Sequence, residues 1–210
     1  MFKIFCFFIG LFFIGFSGLH ADGSSFDVEN GKEKSQVCTT CHGSDGNSFV
    51  PMWPKISGQI STYMIKQLNS FKLEGKDGRS NPIMYSIVKD LSDKDLSDIS
   101  MYYSTGNGFS SNSDEDVVNS DVINGRSLYL YGDSVNNIPA CSACHGFYGE
   151  GNNLAGFPRL KNQHFEYTVQ QLQNYKDCTR FNDYNMIMRD VAGKLSDKQV
   201  LEVAKFIALM

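Results

Sequence analysis

Beyond its N-terminus the 210-residue chain has no apolar run long enough to meet a membrane. It also lacks a basic stripe. Its 19 Lys and Arg are outnumbered by 23 Asp and Glu, for a formal charge of -4. That excludes the electrostatic footprint of a nucleic-acid-binding protein. Sustained alternation of apolar and polar residues is missing too, which argues against a strand-rich fold. Disorder is excluded by 41% hydrophobic and only 20% charged residues. The length allows one or two domains. Six cysteines remain, and their spacing says more than their number.

The first twenty residues read as a targeting segment. Lys3 is the only charge before Asp22, and the stretch from Ile4 to Phe16 is broken only by Cys6, Gly10 and Gly15. A short positive region, an apolar run of signal-peptide length and the small residues Ser17, Gly18 and Ala21 follow in the order of an export signal. Cleavage is expected after Ala21, with Ser17 the second choice because Leu19 is an imperfect minus-three residue; an uncleaved anchor is the alternative. Cys6 lies too early for a lipoprotein. Removing residues 1–21 leaves 18 basic and 23 acidic residues, a charge of -5, and five cysteines. An exported chain usually pairs its cysteines. Five is odd, and four of them have another explanation.

The remaining chain is one unit repeated. Cys38-Thr-Thr-Cys41-His42-Gly43 recurs 103 residues later as Cys141-Ser-Ala-Cys144-His145-Gly146. Pro54, Gln59, Tyr63, Gln67-Leu68, Met84 and Leu91-Ser92-Asp93-Lys94 recur 104 residues later as Pro158, Gln163, Tyr167, Gln171-Leu172, Met188 and Leu195-Ser196-Asp197-Lys198. One inserted residue after the cysteine motif explains the change of offset. The expected organisation is a signal at 1–21, a first domain at 22–107, a linker at 108–121 and a second domain at 122–210. The linker is rich in Ser, Gly, Asn and Asp and carries Asp114-Glu115-Asp116.

Each half reads as helical. A first helix is expected to run into the cysteine motif, near 28–37 and 122–131. A middle helix covers 60–73 and 165–175. The last helix is expected after Ser92 and Ser196 as N-caps, with Leu96, Ile99 and Tyr103, or Val200, Val203 and Ile207, along one face. Ninety residues with this much loop bury a meagre core, so something else should complete it.

Cys-x-x-Cys-His followed by glycine is the haem c attachment pattern. Two thiols one helical turn apart can add to two vinyl groups on one porphyrin edge, and the adjacent imidazole then faces the iron. A zinc ribbon could use two Cys-x-x-Cys pairs but would not require His after each. A redox dithiol would sit in a larger α/β domain. Two matched motifs behind an export signal favour covalent haem c, two per chain, with His42 and His145 as iron ligands.

The second axial ligand must recur in both halves. His20 leaves with the signal, and His164 faces Ile60 in the repeat register. A thioether serves, and Met/His ligation raises the potential. Met84 and Met188 both lie seven residues before the Leu-Ser-Asp-Lys motif and are assigned as ligands. Met186 is the rival in the second half, but its counterpart is Pro82. Met52, Met64, Met101 and Met210 are expected to be core filler.

These residues, with Gly46-Asn47, Gly58-Gln59 and the run from Asn182 to Arg189, resemble the cytochrome c4 family, the periplasmic dihaem class I cytochromes of Gram-negative bacteria. The resemblance covers residues 22–210. It implies an all-α protein of two tandem class I cytochrome c-like domains, each wrapped around a covalent haem, with a propionate contact between them. It implies that the Pro54 and Pro158 carbonyls orient the proximal imidazoles. It implies electron transfer between redox proteins, with a quinol-oxidising complex or a dehydrogenase as donor and a membrane terminal oxidase as acceptor. The protein is expected to be a periplasmic monomer, soluble or peripherally membrane-associated. Cys178 departs from the family; it is either a buried inert thiol or a link to a second copy.

Two other readings stay beside the carrier. One is a permanent electron-transfer subunit of a dehydrogenase complex. The other is a dihaem peroxidase, which needs one open iron and a nearby acid–base group; two matched methionines argue against it, and no open catalytic site is expected.

Overall fold

The computed structural model describes residues 26–108 and 119–210. The expected signal at 1–21 and most of the expected linker lie outside the described residues. Among those residues there are helices and no strands, with two isolated bridges at Asp133–Ile138 and Asn152–Phe157. The first half holds α1 (Val28–Lys34), α2 (Gln36–His42), α3 (Ser61–Lys72), α4 (Pro82–Val88) and α5 (Asp93–Ser104). The second holds α6 (Ser120–Tyr131), α7 (Ser142–His145), α8 (Phe165–Lys176), α9 (Ile187–Lys194) and α10 (Asp197–Leu209), with a short 3-10 turn at Tyr184–Met186.

The last helix of each half begins where the serines place it. The Ser92 side chain accepts from Asp95 N while the Asp95 carboxylate takes Ser92 N, a complete capping box. Ser196 and Gln199 repeat it. The apolar face follows the expected register: Leu96, Ile99 and Tyr103 are buried in one copy and Val200, Val203 and Ile207 in the other.

The first helix packs across the last in both halves, and a glycine permits the crossing. A Cβ on Gly31 would lie 2.2 Å from the Asp98 carbonyl oxygen, and one on Gly125 would lie 2.0 Å from that of Glu202. Beside each glycine an asparagine donates to the acid on the partner helix: Asn30 to Asp98 at 2.6 Å and Asn124 to Glu202 at 2.8 Å. Asn30-Gly31 and Asn124-Gly125 match at an offset of 94, whereas the cysteine motifs match at 103. The second half therefore carries nine extra residues between its first helix and its haem motif.

That segment corrects the expectation that the first helix runs into the motif in both halves. In the first half it does, with only Ser35 between α1 and α2. In the second, α6 stops at Tyr131, and residues 132–140 form a loop closed by the Asp133–Ile138 bridge. Ile138 buries its side chain in the core, and the Asp133 carboxylate accepts from Gln199 Nε2 at 3.0 Å. The loop thus supplies apolar surface that the first half lacks. The helix α6 also begins at Ser120, two residues before the expected boundary at 122, because the Asn119 side chain caps it through Val122 N.

The halves meet through a reciprocal clamp. Gln163 Oε1 accepts from Lys55 N and its Nε2 donates to Lys55 O, both at 2.9 Å. Gln59 Oε1 accepts from Arg159 N at 2.8 Å and its Nε2 donates to Arg159 O at 3.0 Å. Each glutamine and each basic residue is the repeat partner of the other.

Candidate haem centres

Each cysteine motif lies on a helical turn that ends at a glycine with positive φ, Gly43 at 83° and Gly146 at 84°. Cys38 and Cys41 are both in α2; Cys141 is the N-cap of α7, and Cys144 lies within it. None of the four is in a disulfide, and all are half-buried beside the buried imidazoles of His42 and His145. His42 Nδ1 donates to the Pro54 carbonyl oxygen at 2.9 Å, and His145 Nδ1 donates to that of Pro158 at 3.0 Å. A carbonyl only accepts, so Nδ1 carries the hydrogen and Nε2 is the bare nitrogen. That is the tautomer a metal ligand needs. Burial, partly offset by the bond to proline, holds both imidazoles below their ordinary pKa and keeps them neutral.

The alternatives to haem fit poorly. A redox dithiol needs a thiol pKa lowered by its surroundings. Here burial pushes Cys38 and Cys141 up to about 11. Among the described residues no three or more His, Cys, Asp and Glu side chains cluster to share one metal ion, as a zinc ribbon would require.

Met84 and Met188 each stand in the first turn of a short helix. Met84 lies in the first turn of α4, whose N-cap Asn81 accepts from Met84 N at 3.0 Å. It is half-buried against the cluster of Phe71, Val88 and Leu96. Leu68 and Leu91 pack on this cluster and also on the one that Cys38 touches, so Met84 and the helix that carries Cys38 share one apolar wall. Met188 lies in the first turn of α9 and is half-buried as well. Met186, by contrast, is 55% exposed and caps α9 in the left-handed region, with φ at 61°. Asn185 before it is left-handed too, at 49°. Asp183 steadies this loop, since its carboxylate takes both Arg189 N, at 3.0 Å, and Arg189 Nε, at 2.8 Å. Of the four methionines expected as filler, Met64 is core, but Met52 is 46% exposed, in the turn after the first motif.

Two residues that matter were missed in the sequence. Arg79 and Arg180 are buried between the halves. Arg79 lies over the Phe71 ring and Arg180 over the Tyr175 ring, at 4.6 and 4.5 Å from the centroids. Arg79 donates to Gln67 Oε1 and, at 3.0 Å, to Tyr167 Oη of the other half. Arg180 donates to Gln171 of its own half and, across the boundary, to Tyr63 Oη at 3.1 Å and Gln67 Oε1 at 3.0 Å. Phe71 and Tyr175 are repeat partners, as are Gln67 and Gln171, so the arginines occupy equivalent places. Their own offset is 101, which hides them from a search at 104. Burial alone would raise the Tyr63 phenol, but the Arg180 and Arg79 charges beside it prevail and bring it down to about 7. Buried guanidiniums bonded to phenols and amides call for an acid. Haem propionates are acids of that kind, so this centre fits the group chemically.

His164 also lies at the boundary, where its Nε2 donates to Ser48 O of the first half at 2.8 Å. Cys178 is exposed rather than buried, and stands in the left-handed region at the repeat position of Glu74.

The comparisons agree with this geometry. The family model for cytochrome c matches twice, at residues 28–106 and 124–210. A cytochrome c4 of Thiocapsa roseopersicina is 39% identical over 183 residues, covering 86% of this chain and 91% of that protein. A thiosulfate dehydrogenase electron acceptor of Stutzerimonas stutzeri strain A1501 is 33% identical over 192 residues, covering 90% of this chain and 86% of that protein. The crystal structure of reduced recombinant cytochrome c4 from Pseudomonas stutzeri superimposes with a TM-score of 0.80 at 37% identity, covering 88% of this chain and 98% of that one. Two all-α halves, each with a thiol pair and a buried imidazole in the ligand tautomer, thus coincide with a family match in both halves, and the chain belongs to the cytochrome c4 family of dihaem c-type cytochromes.

Proposed function

We propose that the chain is a periplasmic electron carrier made of two units, 22–107 and 122–210, joined by residues 108–121 after loss of 1–21. His42 with Met84 holds one iron, and His145 with Met188 holds the other. Cys38 and Cys41, and Cys141 and Cys144, tether the two haems. The observation that carries this reading is the duplicated imidazole whose Nδ1 proton is committed to a proline carbonyl, leaving Nε2 bare.

When bound, haem iron takes up and gives back one electron at each centre. The chain does the rest. Cys38, Cys41, Cys141 and Cys144 would tether the group, the Pro54 and Pro158 carbonyls orient the imidazoles, and Met84 and Met188 would supply the second protein ligand to each iron. Core residues such as Leu96 and Val200 keep water out. An iron held by both a histidine and a methionine would exchange electrons rather than bind a substrate, and function would rest on potential and docking.

An acidic surface further charged by propionates suits a basic patch on the partner, and salt should weaken the encounter. The proposed donor is a quinol-oxidising complex or a dehydrogenase, and the proposed acceptor is a membrane terminal oxidase. No helix among the described residues is long and apolar enough to cross a membrane. The chain acts as a monomer, with exposed Cys178 available as a link between copies. Rapid mixing of the reduced protein with oxidase-containing membranes tests this. Reoxidation that slows as ionic strength rises is expected; no reoxidation at low salt contradicts it.

A second reading has its own support in the likeness to a thiosulfate dehydrogenase electron acceptor. In that reading the chain is the electron-accepting partner of a dehydrogenase. Co-elution with such an enzyme on gel filtration of a native extract favours it over a free carrier.

A further inference from the structure

The proline carbonyl that receives each proximal imidazole belongs to a peptide whose other end faces the opposite half. The Pro54 C=O accepts from His42 Nδ1 at 2.9 Å. The N–H of that same peptide is Lys55 N, which donates to Gln163 Oε1 of the second half at 2.9 Å. The arrangement recurs in reverse. The Pro158 C=O accepts from His145 Nδ1 at 3.0 Å, and Arg159 N donates to Gln59 Oε1 of the first half at 2.8 Å. Gln59, Gln163, Lys55, His42 and His145 are all buried, so neither chain of bonds is diluted by bulk water.

We propose that Gln59 and Gln163 are crossed positioning residues: each sets the ligand strength of the proximal histidine in the half to which it does not belong. This rests on His42 and His145 being iron ligands, and the experiment below separates failure of that assignment from failure of the relay.

The physical argument is cooperative polarisation. A peptide whose N–H is engaged becomes a better acceptor at its C=O. A better acceptor on Nδ1–H makes the imidazole a more basic ligand. A more basic ligand favours the ferric state and lowers the potential. Low local dielectric strengthens each link. The second glutamine bond, from Nε2 to the Lys55 or Arg159 carbonyl, holds the peptide in place, so the relay is also a geometric clamp. The same glutamine oxygen accepts the N–H of its own following residue, Ile60 or His164, at the start of α3 or α8. Loss of the glutamine therefore has a local effect in its own half and a relayed effect in the other, and the two can be told apart by which haem responds.

The test uses the full dihaem protein and the variants Gln163→Leu and Gln59→Leu. Hyperfine-shifted imidazole Nδ1–H resonances are recorded in the ferric state, and haem methyl resonances assigned to each half are followed through a redox titration. Gln163→Leu should shift the His42 Nδ1–H signal and raise the midpoint potential of the first-half haem by more than it moves the second-half haem. Gln59→Leu should do the converse. Gln163→Glu keeps an oxygen against Lys55 N–H and should return the His42 signal toward wild type, which covers the case in which the leucine variant fails to fold. A shift of the haem in the mutated half alone, equal shifts of both, or no shift overturns the relay. Absence of two such Nδ1–H signals in the wild-type protein overturns the ligation and the relay together.

Discussion

The two halves share one plan and deliver their methionines differently. In the first, Asn81 caps α4, Pro82 stands in its first turn, and Met84 follows in relaxed helix. In the second, the chain passes through two left-handed residues, Asn185 and Met186, before Met188. An ion pair between Asp183 and Arg189 steadies that turn. The second half also buries Ile138 from a loop that the first half lacks. The repeat therefore keeps the sequence register of Met84 and Met188 while the backbone that carries them differs. The second half passes through two left-handed residues before Met188, and an anchored loop and a larger core support that turn.

The ligand variants break the comparison most severely. Met84→Ala and Met188→Ala should each open one iron and remove half of the far-red methionine-to-iron band, with loss of one high-potential step in a redox titration. A full band in either variant refutes that ligand. Next comes the boundary. Arg180→Met should cost about 2 kcal/mol, because buried partners lose charge-assisted hydrogen bonds. Arg79→Met should cost less, since Arg180 donates across the boundary to both Tyr63 and Gln67 and Arg79 only to Tyr167. Chemical denaturation of both variants checks the order, and equal losses would contradict it.

Acid sharpens the contrast further. The Ser92 side chain and backbone hold Asp95 well below the usual carboxylate range, at about 2. A depressed folded pKa stabilises above the unfolded value of roughly 4 and loses that contribution as pH falls toward 2. The second half uses Gln199 at the same place, which does not titrate. Between pH 4 and 2 the first half should lose stability ahead of the second, and Asp95→Gln should remove that lag; far-UV and haem-band titrations followed together would report it. The smallest effect is expected for Met186→Gly. It removes a left-handed non-glycine residue, a strain of about 1 kcal/mol, against a comparable entropic cost. Stability should change by less than about 1 kcal/mol, and both haem spectra should stay intact. Loss of a methionine band there would make Met186 the ligand.

Much of this was legible in the chain. Cysteine spacing, the Leu-Ser-Asp-Lys repeats and the Ser92 and Ser196 caps are local signals, and the helices that follow them formed where expected. The extra loop at 132–140 was not, because the first helices share too few residues to expose the 94-residue offset. The helices α4 and α9 are only seven and eight residues long, so in the sequence their methionines stood out rather than their helical pattern. Arg79 and Arg180 escaped because their loops differ in length, and only packing against Phe71 and Tyr175 makes them equivalent. Gln59 and Gln163 stood out as repeat partners, but that each crosses to the other half is a fact of docking, which periodicity does not encode.

The central claim is that both irons are closed by a histidine and a methionine, which makes the chain a carrier. The direct measurement is an optical spectrum of the purified, air-oxidised and dithionite-reduced protein, with haem counted as pyridine haemochrome. The account predicts two covalent haems per chain, both low-spin, with the far-red methionine-to-iron band at full strength. One high-spin haem, or half of that band missing, would contradict it and point to an open iron.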